Sequence, residues 1–226
     1  MLLAIDTSTD NASLALVKDS QIVAELTWYC GQNHTIKLLP QLAHLLGQTK
    51  SSPQAISGII IAKGPGSFNG LRVGMSTAKG LAFSLGIPLV GISTLEVAAY
   101  QHAETGLPVC PIFNAGRDEI ATAIYQKKYS KWLKLATEQV TTVDALCSLI
   151  ATRTIFCGEF TPFIGTQLRK QLKQKAIIPL PAFMLRRAGY LAELGQQQFR
   201  VGKYDSVATL QPIYLRRPPI TQPKHR

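Results

Sequence analysis

Ile59-Ile60-Ile61-Ala62-Lys63-Gly64-Pro65-Gly66-Ser67-Phe68-Asn69-Gly70-Leu71-Arg72 reads as a buried strand that passes through a glycine turn into a helix. Four apolar residues suffice for a strand covered on both faces. The run that follows, Val73 to Leu85, carries small residues at Gly74, Ser76, Ala78, Gly80 and Ala82, so a helix there can approach its neighbours closely. Gly64 and Gly66 open backbone angles closed to other residues, and Pro65 stiffens the link between them. A helix beginning near Gly70 turns its first N–H groups toward the loop, where an anion or a carboxylate could be held. Two readings of 64–72 stay open. One is a phosphate cradle, although the spacing of Gly64, Gly66 and Gly70 is GxGxxxG, which is not the dinucleotide fingerprint, and the loop lacks the GK[ST] ending of a Walker loop. The other is a tight turn that lets helix 70–85 pack against its sheet. Arg72 is unfavourably placed for the helix dipole. It reads either as a specific acidic or phosphate contact or as a solvent-facing side chain.

Upstream, Leu2–Asp6 is a short buried strand ending on an acid, Asp6-Thr7-Ser8-Thr9-Asp10-Asn11 a turn, and Ser13–Val17 and Gln21–Tyr29 two further strands. Asn33 can cap a helix whose apolar positions Ile36, Leu38, Leu39, Leu42, Leu45 and Leu46 follow helical spacing, with Gly47 at its end. After helix 70–85, Gly86-Ile87-Pro88 breaks the chain, Leu89–Ile92 is a strand, and Ser93-Thr94-Leu95-Glu96 is a capping box opening a helix to about His102. The order is strand, strand, strand, helix, strand, helix, strand, helix.

The second half repeats it: strands at 109–113, 119–126 and 131–137, a helix at 143–151, a strand at 154–157, a helix at 160–173, a strand at 176–178, and a helix opened by Pro181 and running to about Val201. The repeat is one of order, without sequence identity between the halves. It predicts two lobes, 1–104 and 105–226, with an extended tail from Tyr204 to Arg226.

Composition narrows the classes. The longest apolar stretches fall far short of a membrane span, and the N-terminus reaches Asp6 without a basic region, unlike a signal peptide. Cys30, Cys110, Cys147 and Cys157 are too widely spaced for a metal motif and too few for a disulfide framework. They read as reduced thiols, mostly in the core, of a cytoplasmic protein. Residues 1–104 hold 6 Lys/Arg and 6 Asp/Glu, whereas residues 105–226 hold 18 and 7, so the net charge of +11 lies wholly in the second half. That favours a polyanionic partner such as RNA, met through backbone phosphates, or else it is a solvated basic surface.

Two lobes of this order, with an Asp-Thr-Ser turn after the first strand, resemble the actin/sugar-kinase/Hsp70 superfamily. MLLAIDTSTDNASLAL (1–16), NHTIKLLPQLAHLL (33–46), the 39-residue run Ile61–Ala99 and the late PIYLRR (212–217) narrow the resemblance to the TsaB (YeaZ-like) family. The resemblance implies a two-lobed α/β actin-like ATPase (ribonuclease H-like) fold with βββαβαβα in each lobe. It implies a non-catalytic subunit of the tRNA threonylcarbamoyladenosine machinery, binding and stabilising its catalytic paralogue TsaD. The further partners would be the ATPase TsaE, a second copy of itself when alone, and tRNA through the complex. ATP and Mg would be used by those partners, and this chain would have no cofactor of its own.

Two departures stand out. Asn69 occupies a position where the family usually has Thr, and Asn114-Ala115-Gly116-Arg117 replaces an Asp-Ala-Arg turn. The second removes the acid that a working ATPase would place against its metal.

The site residues follow from these readings. Asp6, Thr7 and Ser8 with Gly64 and Gly66 form a weak, vestigial phosphate site, or else an Asx turn linking two strands. In the helices, His34, Leu38, Leu45, Met75, Ala78 and Ala82 form a stripe that is either core or, as the resemblance implies, an outer face for subunit pairing together with Arg72. No histidine pair, HExxH or GxSxG elbow marks a metal site or a hydrolase. The rival class is a stand-alone ATP-dependent kinase or ATPase, favoured by Asp6-Thr7-Ser8 and disfavoured by Asn114. A third possibility is a stand-alone RNA-binding protein.

Overall fold

The computed structural model describes residues 1–215. The first sheet comprises β1 (Leu2–Asp6), β2 (Asn11–Lys18), β3 (Gln21–Tyr29), β4 (Gly58–Ala62) and β5 (Leu89–Ile92) in the order β3-β2-β1-β4-β5. The second comprises β6 (Val109–Gly116), β7 (Glu119–Lys128), β8 (Lys131–Thr142), β9 (Thr154–Glu159) and β10 (Ala176–Ile177) in the order β10-β9-β6-β7-β8. In each sheet the first three strands form antiparallel hairpins, and the last two join parallel to the first. The lobes therefore share one topology, the ribonuclease H-like arrangement of the actin-like fold.

The tight hairpins carry two residues each in the left-handed region: Asp19 and Ser20, Arg117 and Asp118, Tyr129 and Ser130. That is the backbone a two-residue hairpin turn requires.

The helices are α1 (His34–Gln48), α2 (Phe68–Leu85), α3 (Thr94–Tyr100), α4 (Val143–Leu149), α5 (Pro162–Leu172) and α6 (Ala188–Arg200). α1 and α2 cover one face of the first sheet, with Leu38, Leu42, Leu45, Met75, Ala78 and Ala82 packed on Leu3, Ile5, Leu14 and Ile59. The last helix of each half packs across the boundary. α6 puts Ala188, Leu191 and Ala192 against Ala4, Ala15 and Ile60 of the first sheet. α3 puts Leu95, Ala98 and Ala99 against Val109, Phe113 and Ala121 of the second. β5 ends at Ile92 and β6 starts at Val109, and these two helices each pack on the sheet of the other half.

Three local expectations are corrected. The helix expected from Pro181 is a single 3-10 turn, Pro181–Phe183, and α6 begins at Ala188. Between them the chain is extended at Arg187, because Arg186 is drawn into a buried cluster of carboxylates. The capping box at Ser93 does not close: Ser93 is the N-cap residue but makes no side-chain cap bond. The strand expected at 154–157 runs on to Glu159, and Glu159 proves to matter.

All four cysteines are buried free thiols, and burial pushes Cys110 up to about 12. No helix of the described residues is long and apolar enough to cross a membrane. The described part of the tail ties back to the first lobe, with Ile213 N donating to Lys63 O at 2.6 Å and Asp205 Oδ2 accepting from Gly91 N at 2.8 Å. The remainder, including Arg216 and Arg217 of PIYLRR, lies outside the described residues.

Candidate functional site

The glycine turn and the Asp6 turn meet directly. Ser67 N donates to the Ser8 carbonyl at 2.6 Å, and Thr7 Oγ1 donates to the Gly70 carbonyl at 2.8 Å. A Cβ placed on Gly66 would collide with the Ser8 carbonyl, one on Gly70 with the Thr7 carbonyl, and one on Gly74 with Thr7 Oγ1. Gly64, at φ +103°, bends the chain so that its N–H reaches Thr94 Oγ1 at 3.0 Å. The helix start is also occupied locally, since Gly70 N donates to the N-cap Ser67 Oγ. The glycines thus bring α2 into direct contact with the first turn.

The Asp6 carboxylate is fully engaged. Oδ1 accepts from Ser8 N at 2.9 Å and Ser8 Oγ at 2.5 Å, and Oδ2 accepts from Arg186 Nε at 2.9 Å. Arg186 extends the same network: Nη1 donates to Glu159 Oε1 at 2.8 Å, and Nη2 donates to Thr9 Oγ1 at 2.9 Å and Ser8 Oγ at 3.2 Å. Thr9 Oγ1 donates to Glu159 Oε1 at 2.6 Å. Asp6 and Arg186 are each about 1% exposed at the side chain, so neither has water in reserve.

Burial alone would raise the Asp6 pKa. The Arg186 charge and the Ser8 and Arg186 donors outweigh it and hold the carboxyl below its ordinary value. Burial likewise works against the Arg186 charge, and Asp6 and Glu159 overcome it. The cluster joins a turn of the first sheet to the end of β9 in the second. Reading the sequence missed Arg186 and Glu159, because the bonded residues stand 150 to 180 positions from the turn.

This arrangement does not fit a magnesium-bound phosphate. Such a group needs free carboxylate oxygens and free N–H donors. At this turn both Asp6 oxygens already accept, and the oxygens of Thr7 and Ser8 fill the space beside the glycines. On the second lobe the equivalent turn keeps Asn114, whose Oδ1 accepts from Gly116 N at 2.8 Å. Among the described residues, no group of three His, Cys, Asp or Glu side chains converges as a metal site.

The expected pairing stripe lies on the inside of this chain. His34, Leu38, Leu45, Met75, Ala78 and Ala82 are all buried, because each faces the sheet or the glycine turn. His34 packs beside Gly70, and burial pushes its pKa down against the pull of Asp10. Only Arg72 of that set is exposed, and it stacks over the Phe68 ring at 3.8 Å rather than meeting an acid. The outward faces of the same two helices carry other apolar residues: Ile36 and Leu39 on α1, 69% and 55% exposed, and Phe83 on α2, 84% exposed.

Two lobes of actin-like topology are joined at a turn whose carboxylate is held by the protein's own Arg186 and Ser8. A family model described as "TsaD: tRNA N6-adenosine threonylcarbamoyltransferase" matches residues 28–199. The tRNA threonylcarbamoyladenosine biosynthesis protein TsaB of Bacillus subtilis is 32% identical over 218 residues, spanning 95% of this chain and 93% of that one. The Escherichia coli TsaB is 29% identical, spanning 95% and 94%. A crystal structure from Pseudomonas aeruginosa, described as an uncharacterized protein with similarity to peptidase YeaZ, superposes with a TM-score of 0.81 at 25% identity, covering 95% of this chain and 99% of that one. The chain belongs to the TsaB family, within the TsaD-related proteins of tRNA threonylcarbamoyladenosine biosynthesis.

Proposed function

We propose that this chain is a non-catalytic subunit of the tRNA threonylcarbamoyladenosine machinery, which binds a TsaD-type catalytic paralogue and stabilises its active form. The observation that carries this reading is Arg186. Its guanidinium is the standing counter-ion of Asp6, in the place where an ATPase of this fold would hold a metal-bound phosphate. The rival reading, a stand-alone kinase or ATPase, needs the Asp6 oxygens that Arg186 and Ser8 already occupy and the Thr7 hydroxyl that already donates to the Gly70 carbonyl. On this reading ATP and magnesium serve the TsaD-type and TsaE-type partners in the cytoplasm, and the chain contributes surface.

The surface is the outward face of α1 and α2, with Ile36, Leu39 and Phe83 as apolar anchors. Exposed apolar side chains lose water on docking, and an aromatic such as Phe83 is the kind of residue enriched at interface cores. The same face would pair two copies of the chain when the paralogue is absent.

Two assays test the proposal. Co-purification with a TsaD-type paralogue is expected for the wild type and weakened by Leu39→Glu or Phe83→Glu. Reconstituted threonylcarbamoyl transfer to tRNA is expected to need the chain, and transfer at full rate without it overturns the proposal.

A further inference from the structure

The topology of the second sheet gathers its positive charge at one end. Thr154 and Ala176 begin β9 and β10 and pair in parallel, so Arg153 and Lys175, one position earlier, stand side by side. Ile155 pairs with Val109, and Val109 with Tyr125. The last residues of β7 therefore reach the same end, and Gln126 Nε2 donates there to the Gly106 carbonyl at 2.8 Å. Lys128 and Lys131 are paired across the β7–β8 hairpin. Lys127, Lys128, Lys131, Arg153, Lys173 and Lys175 thus form a rim that crosses the sheet. Its four interstrand gaps make it about 19 Å long.

The charge on this rim is largely uncompensated. Glu104 meets Lys127 Nζ at 2.6 Å, and among the described residues none of the other five cations has a carboxylate within 4.0 Å. All five are exposed. No Asp or Glu occurs anywhere from Phe160 to Ala192, and the first 104 residues are net neutral. At the hairpin tip the Tyr129 side chain is 98% exposed beside Lys128 and Lys131, with no core to pack on. A basic edge next to a free aromatic ring suits a nucleic-acid backbone with an unstacked base.

We propose that this rim is a binding surface for the tRNA of the pathway: the lysines and Arg153 meet backbone phosphates, and Tyr129 stacks on an unpaired base. It lies at the far end of the second sheet from the Asp6–Arg186 cluster, since Arg153 precedes β9 and Glu159 ends it. The inference rests on the subunit reading for the identity of the RNA.

The test is fluorescence anisotropy of the full chain with a labelled, unmodified tRNA transcript across a salt series. Lys128→Glu, Lys131→Glu, Arg153→Glu and Lys175→Glu combined are expected to weaken binding on the order of tenfold or more and to flatten the log K against log salt slope by about 3. The combination Lys18→Glu, Lys37→Glu and Lys50→Glu in the first lobe is expected to change neither beyond about twofold. Tyr129→Ala should weaken binding to an anticodon stem-loop oligonucleotide while leaving the salt slope in place.

Wild-type affinity and slope in the four-residue variant, with native circular dichroism, overturn the proposal. So does tighter binding to vesicles containing 30% phosphatidylserine than to the transcript. Co-purification of the same variant with the TsaD-type paralogue separates the two readings. Retained pairing with unchanged RNA binding removes the rim alone, whereas absence of pairing in the wild type removes the subunit reading.

Discussion

The two lobes share an order of strands and helices, yet the turn after the first strand has a different fate in each. In the first lobe, Asp6–Ser8 is buried and Thr9 half-buried, overlaid by the glycine turn and bonded to Arg186. In the second, the turn from Asn114 to Asp118 lines an open cleft of about 560 Å³ together with Thr142, Thr161 and Gln167. The helix that follows the fourth strand of each lobe accounts for the difference. Gly66 just before α2 and Gly70 and Gly74 within it face the turn, so α2 collapses onto it. α5 starts behind Thr161 and Pro162, and a Cβ added at its Gly165 would meet no atom closer than 3.5 Å. A glycine-rich turn at a strand-to-helix junction here packs directly on the neighbouring turn. The cation that completes the buried cluster is borrowed from the far end of the chain.

The largest predicted effect is at Arg186. Arg186→Ala leaves Asp6 and Glu159 charged without a buried partner, a loss of about 3–5 kcal/mol, read as the shift in urea-unfolding free energy. Removing both charges with Asp6→Asn and Arg186→Met should recover much of that loss. A single variant within about 1 kcal/mol of wild type would break the comparison, since the two turns would then be equally dispensable.

Next are the glycines. Gly70→Ala should destabilise by about 1–3 kcal/mol through overpacking against the Thr7 carbonyl. Gly165→Ala, with open space around it, should be neutral or gain up to about 1 kcal/mol of helix propensity. Equal effects at both sites would deny that close approach is what distinguishes the lobes.

The pH response sharpens the same point. Because the folded-state pKa of Asp6 is depressed below 3.8, its contribution is present in full above that value and lost as pH falls below it. The stability gap between wild type and the Asp6→Asn/Arg186→Met pair should therefore hold at pH 5 and narrow as pH falls below about 4, as followed by urea midpoints. A gap that widens on acidification would contradict the assigned ion pair.

The smallest effect is on the outer face. Phe83→Glu should change the stability of the isolated chain by no more than about 0.5 kcal/mol. Met75→Glu, on the inner face, buries an unpaired charge and should unfold it.

The order of elements was legible because apolar runs and helical spacing are local signals. The glycine turn was legible as a close-packing device, and its competing phosphate reading was equally so, because spacing alone does not show what fills the space. The Arg186 cluster was not legible. It joins residues far apart in the chain, and Leu180–Arg187 looks like the start of a helix until Arg186 is seen to turn inward. Periodicity also identified which residues of α1 and α2 share a face without showing which face points out. α1 has large aliphatics on both sides, so Leu38 and Leu39 went to opposite environments. Asn114 stands where the acid was expected, but Asp118 of the same turn lines the same cleft, which the spacing did not show, and Glu159, which serves Arg186, comes from the end of β9.

The most direct test is reconstituted threonylcarbamoyl transfer to tRNA with the chain carrying Asp6→Asn and Arg186→Met, folded and co-purifying with the proposed TsaD-type paralogue. Transfer at the wild-type rate is the predicted result, because on the proposed subunit reading the pair joins the two lobes and takes no part in the reaction. Loss of transfer by a folded, fully associated variant would show that the Asp6 turn takes part in the reaction.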